Sequence, residues 1–165
     1  MTCAQALLTA DWQAVMVGRR EDALQKSIDS TSEKAAIAIA LPADLSCEDA
    51  VQALFQALEQ RFGRLDLLLS NAGVSLPYTL PGDLSGADCR CMVNINLSGA
   101  FYCLSQAFKL MQKRSSQGGR IINNDSISAH VPCPGSIAHA ATKHAVSGLT
   151  RAAALDGRAF NIAVG

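Results

Sequence analysis

Apolar and polar residues alternate along the chain in two kinds of periodic pattern, one of which predicts strands and the other helices. Short, nearly continuous apolar runs are typical of buried strands, and apolar residues three and four apart are typical of helices. The predicted strands are Gln13–Val17, Ala36–Leu41, Leu65–Ser70, Arg120–Asn124 and Asn161–Val164. The predicted helices are Ala4–Thr9, Glu21–Ile28, the stretch between Ser46 and Gly63, a long helix through Leu97, Phe101, Leu104, Phe108 and Met111, and a helix from about Ile137.

The helix between Ser46 and Gly63 and the strand after it carry the clearest local signals. Ser46 followed by Asp49 predicts a capping box at the start of the helix, and Gly63 predicts its end. The apolar face of this helix is predicted to comprise Val51, Leu54, Phe55, Leu58 and Phe62. In the following strand the apolar run after Asp66 is unbroken, which predicts burial on both faces of a sheet.

The alternation of strand and helix with short connections indicates an α/β fold. Because strands joined by helices run parallel, we predict a doubly wound parallel sheet with helices on both faces, in three layers. There is no internal repeat and no linker, so residues 1–165 are expected to form a single domain.

Composition and charge exclude several classes of protein. With 49% hydrophobic and 17% charged residues, the composition is that of a folded globular protein. The formal net charge is zero and no basic run occurs, so we expect no nucleic-acid partner. No apolar window approaches the roughly 20 residues of a membrane span, and we expect no membrane association and a cytoplasmic location. The six cysteines form no Cys-x-x-Cys pair, which favours reduced thiols and no metal site.

The candidate chemistry lies in Gly119–Thr150, a predicted strand, a loop rich in Ser, Pro and Gly, and a helix. His139 and Lys143 are four residues apart and therefore share one helix face. Ser126 closes the strand, so its hydroxyl can fold back over the first helical turn. A hydroxyl, an imidazole and an ammonium at one strand end suggest proton transfer beside a bound anion or sugar. On spacing alone, a solvated Lys and a chance His on a surface helix are the simpler interpretation.

This segment resembles the active site of the short-chain dehydrogenase/reductases, in which a Ser is followed after about a dozen residues by Tyr-x-x-x-Lys. Ser126 and Lys143 fall in register with that pattern, but His139 stands at the Tyr position. The resemblance implies a Rossmann-like fold and hydride transfer between a nicotinamide and a carbonyl carbon held by Ser126. The substrate would be a small ketone or the corresponding alcohol. Because imidazole is shorter than a phenol, we expect His139 to have lost the role of catalytic acid. A working His that shuttles protons remains the alternative.

Further matches to the same family extend over nearly the whole chain. Asn71-Ala72-Gly73 matches the family's Asn-Ala-Gly turn, whose glycine lets the backbone approach the cofactor and whose asparagine braces the central strands. Asn96 matches the asparagine of a kinked helix that helps to hold a water beside the Lys. Asp44 matches the acidic residue that contacts the adenine. Arg19 and Arg20 follow the first strand of this chain, where the resemblance implies pairing with the 2′-phosphate of NADP rather than with NAD.

The sequence also departs from the family pattern. The family opens with a strand and a Gly-rich turn that holds the pyrophosphate, whereas this chain begins within the helix that follows, at Met1-Thr2-Cys3-Ala4. It ends at Gly165, before the family's substrate loop and final strand. We therefore expect a partial domain that lacks the first strand and the C-terminal segment and binds its cofactor weakly. Asp125 places a carboxylate beside Ser126, where the family usually has a small or apolar residue.

Two functions follow as hypotheses. The first is an NADP-dependent alcohol dehydrogenase or ketone reductase that is impaired or inactive in this form. The second is a non-catalytic remnant that acts through association, since the family pairs subunits through two long helices, here near 97–113 and 137–154. Small residues on the second helix would permit close packing in a homo-oligomer, namely Ala138, Ala141, Ala145 and Gly148.

Overall fold

The computed structural model describes residues 3–30, 37–114 and 118–165. These residues divide into two compact units, Met1–Asp44 and Leu45–Gly165. The first unit is small and the second is larger, and the single domain expected from the sequence stays a prediction. Within the described residues, no helix combines the length and the apolarity that a bilayer crossing requires.

The N-terminal unit contains two helices and two strands. Its elements are α1 (Cys3–Thr9), β1 (Ala14–Gly18), α2 (Glu21–Asp29) and β2 (Ala38–Pro42). The two strands pair in parallel, with Ala14 opposite Ala38 and Gly18 opposite Pro42. Ala36, at which the second strand is predicted to begin, lies outside the described residues, as do Met1 and Thr2.

The C-terminal unit contains the remaining elements. They are α3 (Glu48–Phe62), β3 (Leu67–Ser70), α4 (Gly86–Val93), a π-helical segment (Asn94–Ser98), α5 (Gly99–Lys113), β4 (Gly119–Asn123), a 3₁₀ turn (Ile127–Ala129), α6 (Ile137–Asp156), a second 3₁₀ turn (Gly157–Phe160) and β5 (Ile162–Val164). The three strands are parallel in the order β3-β4-β5, with Ser70 opposite Asn123 and Ile121 opposite Val164.

Among the described residues the strands form two sheets, β1-β2 and β3-β4-β5. Within the described residues, the ladder partner of β1 is β2 and that of β3 is β4. In the doubly wound order 3-2-1-4-5-6, these strands correspond to positions two to six. The prediction that β3 is buried on both faces is wrong. Its four residues are only half-buried, because β3 lies at the edge of its three-stranded sheet.

The helix predicted between Ser46 and Gly63 forms almost as expected. It ends at Gly63, which adopts the left-handed conformation (φ 65°) that glycine tolerates best. Its start differs, because the N-cap position is held by Cys47, whose side chain makes no capping hydrogen bond. Four of the five predicted apolar residues are buried, whereas Phe62 is half-buried with the Arg61 guanidinium 5.6 Å from its ring centre.

The core of this unit is built largely by α5, which packs against α3 and against all three strands. Its buried apolar residues are Ala100, Cys103, Leu104, Ala107, Leu110 and Met111. Burial raises the pKa of the Cys103 thiol to about 11, so this cysteine is kept as an unreactive thiol. Phe101, placed on the apolar face by the sequence pattern, is instead 48% exposed and stacks edge-on against Tyr102.

An ion-pair cluster joins the start of β3 to the end of α5. The Asp66 carboxylate accepts hydrogen bonds from Arg64 at 2.7 and 2.9 Å and from Arg114 Nη1 at 2.9 Å. The hydrogen bonds from Arg64, and to a smaller extent those from Arg114, hold the pKa of Asp66 below its usual value, against an opposing effect of burial. The ionised carboxylate therefore favours the folded state.

Candidate active site

The site begins where two neighbouring parallel strands end. Ser70 and Asn123, the last residues of β3 and β4, lie opposite each other, so the residues that follow them are also neighbours. Asn124 Nδ2 donates to Asn71 Oδ1 at 2.8 Å, and Asn124 N donates to Ser70 O at 2.8 Å. The first residue of the Asn-Ala-Gly turn thus links the ends of the two strands.

Lys143 reaches the same strand end from α6. Its side chain is buried, with 9% of the residue exposed, and its Nζ donates to Asn124 O at 2.7 Å. A buried ammonium requires such a partner, because desolvation of an unpaired charge is costly. An ammonium has three N–H donors, so two remain for a ligand or water.

Ser126 lies at the N-cap of the 3₁₀ turn that follows β4. Its Oγ accepts from Ser128 N at 3.2 Å, and its own N–H donates to Asp125 Oδ1 at 2.9 Å. Because the hydroxyl oxygen acts as the acceptor in this hydrogen bond, the hydroxyl proton can be donated to a carbonyl oxygen.

His139 is the third residue of α6 and is half-buried. Its Nδ1 is buried and has no hydrogen-bond partner among the described residues. The imidazole lines a small pocket that is partly open to solvent. The other lining residues carry no charge and are mostly apolar, namely Leu76, Thr79, Leu84, Met92, Gly135, Ser136, Ile137 and Ala138.

Asn96 lies in the π-helical segment between α4 and α5 and is 2% exposed. Its Oδ1 accepts from Val74 N at 2.8 Å, and its Nδ2 donates to Val74 O at 2.9 Å and to Thr142 Oγ1 at 3.3 Å. Thr142 in turn donates to His139 O at 2.9 Å. A single wide turn of this kind inside a helix is often found at functional sites.

The glycine of the Asn-Ala-Gly turn leaves little room for a side chain beside this asparagine. A Cβ built on Gly73 would lie 3.3 Å from Asn96 Oδ1, tighter than ordinary van der Waals contact. Ala72 and Gly73 are both exposed, so the backbone of this loop is accessible to a ligand.

The predicted residues therefore fall into two groups. Asn71, Ala72, Gly73, Asn96, Ser126, His139 and Lys143 lie in the C-terminal unit. Two hydrogen-bonded chains in this unit end on the first turns of α6, one running from Asn71 through Asn124 to Lys143, the other from Val74 through Asn96 and Thr142 to His139.

Arg19, Arg20 and Asp44 belong to the N-terminal unit. The two arginines are exposed and follow β1 directly, and Asp44 is exposed shortly after β2. All three thus lie just beyond the carboxyl ends of parallel strands, where open α/β sheets bind ligands.

Sequence reasoning missed Asn124 and Thr142. Asn124 is hydrogen-bonded to both Asn71 and Lys143, and Thr142 accepts a hydrogen bond from Asn96. Their positions in the sequence could have drawn attention to them, since Asn124 follows a strand and Thr142 precedes the candidate Lys. Neither position shows which residue is the hydrogen-bond partner. The described part of the chain contains no group of three or more metal-ligating side chains.

A family model described as "short chain dehydrogenase" matches residues 1–165. The chain belongs to the short-chain dehydrogenase family. It is 34% identical over 142 residues to a 3β-hydroxysteroid dehydrogenase of Mediterraneibacter gnavus, and the match covers 86% of this chain and 50% of the relative. A 3-oxoacyl-[acyl-carrier-protein] reductase of Synechocystis is 35% identical over 119 residues, covering 72% of this chain and 47% of the relative. The chain thus spans about half the length of these curated relatives.

Solved structures support the same assignment. ElxO with NADP bound superposes with a TM-score of 0.91 at 32% identity, covering 98% of this chain and 64% of that chain. Sorbitol-6-phosphate 2-dehydrogenase SrlD from Erwinia amylovora superposes with a TM-score of 0.90 at 30% identity, covering 98% and 63%. These likenesses confirm the Rossmann-like α/β fold class predicted from the sequence.

Proposed function

We propose that this chain is part of an NADP-dependent oxidoreductase that interconverts a small alcohol and the corresponding ketone. The observation that carries the proposal is the hydrogen bond from Lys143 Nζ to Asn124 O. It holds an ammonium at the end of β4, two residues before the Ser126 hydroxyl, in a chain that belongs to the short-chain dehydrogenase family.

The cofactor we propose is NADP. The exposed backbone at Gly73 admits a close ligand, and Lys143 has two N–H donors left for ribose hydroxyls. The exposed guanidinium groups of Arg19 and Arg20 suit a 2′-phosphate. ElxO, which this chain resembles, has been solved with NADP bound and, as a variant, with NADPH bound. When bound, the nicotinamide supplies or accepts the hydride.

The residues of this chain would bind and orient the substrate. Ser126 would donate its hydroxyl proton in a hydrogen bond to the substrate carbonyl oxygen and so stabilise the developing negative charge. His139 occupies the position of the proton donor, and Lys143 would hold the ribose beside it. The uncharged lining of the pocket at His139 favours a substrate without a charge at that end.

Turnover by this site is proposed to be slow. A ring shorter than a phenol places its proton about an ångström or more from the position of the Tyr hydroxyl, and such a displacement can cost on the order of a hundredfold in rate. The 165-residue chain is also proposed to bind NADP weakly, because its sequence has no Gly-rich turn to cradle the pyrophosphate.

The test uses an extended chain, defined as residues 1–165 fused to the N-terminal strand and Gly-rich turn and to the C-terminal segment of a relative. NADPH oxidation by a panel of small ketones should be measurable, and Ser126→Ala and Lys143→Ala should each abolish it. Lys109→Ala, an exposed lysine on α5, is the matched control and should leave the rate unchanged. Equal rates in Lys143→Ala and Lys109→Ala would refute the proposed function.

Association through the long helices is a second candidate, favoured by the exposure of Phe101 on α5. Ala141 and Gly148 are exposed on α6 and would allow close packing. Ala138 does not belong to this surface, contrary to the sequence-based expectation, because it is 7% exposed and packs in the interior. Sedimentation equilibrium of the chain and of Phe101→Glu tests this candidate, since only a dimer that uses this face would dissociate in the variant.

A further inference from the structure

The carboxylate of Asp125 makes two hydrogen bonds that lead to different elements. Oδ1 accepts from the N–H of Ser126 at 2.9 Å, and Oδ2 accepts from the Ser147 hydroxyl. Asp125 and Ser147 are both half-buried. Hydrogen bonds to an ionised carboxylate are stronger than those between neutral groups, and they strengthen further away from bulk water.

These contacts place Asp125 between the end of β4 and α6. Ser147 lies one helical turn after Lys143, so the two residues share one face of α6. Lys143 holds the backbone carbonyl of Asn124, and Ser147 holds the side chain of Asp125. Two consecutive residues of the strand end are therefore fastened to two consecutive turns of the same helix.

The Ser126 backbone is part of this attachment. Its N–H is bound to the Asp125 carboxylate, and its hydroxyl oxygen accepts from Ser128 N. The hydroxyl thus has its position fixed through the backbone and its orientation fixed through the 3₁₀ turn. If the carboxylate were absent, the Ser126 N–H would lose its partner. The strand end would also lose one of its three links to α6, the other two being Asn123 to Thr150 and Lys143 to Asn124.

We infer that Asp125 is a positioning residue that holds Ser126 at a fixed distance from the Lys143 face of α6. It acts through its hydrogen bonds to Ser126 N–H and to Ser147 and does not itself touch the reacting atoms. The catalytic meaning of this inference rests on the proposed function. The attachment itself does not, and it can be measured in the 165-residue chain.

The first measurement is amide hydrogen exchange at Ser126, followed by NMR in the parent chain and in three variants. Asp125→Ala should speed exchange of the Ser126 amide by about tenfold or more relative to the parent, because both hydrogen bonds are lost. Asp125→Asn should retain most of the protection, since its side-chain oxygen can still accept from the Ser126 N–H. Ser147→Ala should give an intermediate effect. Asp156→Ala, an exposed carboxylate at the end of α6, is the matched control and should not change exchange at Ser126.

The second measurement is steady-state reduction of a ketone by NADPH in the extended chain, carrying the same substitutions. Asp125→Ala should lower kcat by about ten- to a hundredfold with KM nearly unchanged, and Asp125→Asn should restore most of kcat. Unchanged exchange at Ser126 in Asp125→Ala would overturn the inference, as would an unchanged kcat in a chain that turns over. A loss of protection at Ser126 in a chain that shows no turnover in any variant would support the attachment and count against the proposed function alone.

Discussion

Asn96 holds the peptide of Val74 with both ends of its side-chain amide, accepting from Val74 N at 2.8 Å and donating to Val74 O at 2.9 Å. The asparagine is almost completely buried, whereas the loop before Val74 is exposed. A side chain inside a helix therefore fixes the backbone of the loop that follows β3. Because Asn96 also donates to Thr142 on α6, one residue joins a loop and two helical segments.

Removal of this amide is expected to destabilise the protein. Asn96→Ala leaves the half-buried N–H and C=O of Val74 without their partner, and we expect a loss of about 2–4 kcal/mol in the free energy of unfolding. Asn94→Ala is the matched control, since Asn94 lies in the same π-helical segment but is exposed. Urea denaturation of both variants provides the comparison, and equal stabilities would show that the amide is not needed to hold the loop.

Much of the fold was predictable because apolar periodicity and helix-ending residues such as Gly63 are local signals in the sequence. The helix from Ile137 and its preceding strand were placed to within a residue, and Gly63 ended α3 as its backbone freedom requires. The burial of β3 was not predictable in this way. An unbroken apolar run reports the hydrophobicity of a strand, but the exposure of a strand depends on how many neighbours it has.

In the site, too, residues linked by local sequence patterns were predictable and long-range contacts were not. Ser126, His139 and Lys143 could be found because their spacing along one strand, loop and helix matches a family pattern. The links from Asn96 to Thr142 and from Asp125 to Ser147 could not be found, because the partners are 46 and 22 residues apart. A single sequence contains no pattern that shows which residues at such separations will be in contact.

The 165-residue chain is expected to bind NADPH weakly. Its sequence provides Lys143 and an exposed Asn-Ala-Gly loop but no Gly-rich turn, so the pyrophosphate would lack its cradle of backbone N–H groups. Isothermal titration with NADPH should give no saturation at micromolar concentration, and the extended chain should saturate. Saturable micromolar binding by residues 1–165 would contradict this expectation.

Arg19 and Arg20 are expected to set the preference for NADP over NAD. Replacement of both by Ala in the extended chain should lower the preference by about tenfold or more, because charge pairing with the 2′-phosphate is lost while binding of NAD is unaffected. Arg151→Ala, an exposed arginine on α6, serves as the control. Comparison of kcat/KM for the two cofactors gives the answer, and an unchanged ratio would mean that these arginines are merely solvated.

Asp66 is expected to make stability depend on pH. Because its pKa is lowered in the folded state, chiefly by Arg64, its contribution is present above the usual Asp pKa of about 4 and is lost as the pH falls through the lower folded value. Asp66→Asn should therefore cost only about 0.5–1 kcal/mol at pH 7, a small value because the group is partly exposed, and the difference should shrink as the pH falls well below 4. Urea denaturation at pH 7 and in acid, with Asp156→Asn as the exposed control, measures it. A difference that persists in acid would show that the effect is not electrostatic.

The identity of residue 139 decides how much activity the site retains, and one comparison tests this directly. The initial rate of NADPH oxidation with small ketones should be measured for the extended chain with His139 and for its His139→Tyr variant. We predict that the Tyr variant is faster by about tenfold to a hundredfold, and that Lys143→Ala abolishes the gain. If the chain with His139 is already as fast as the Tyr variant, then His139 is a working proton donor and the site is not impaired.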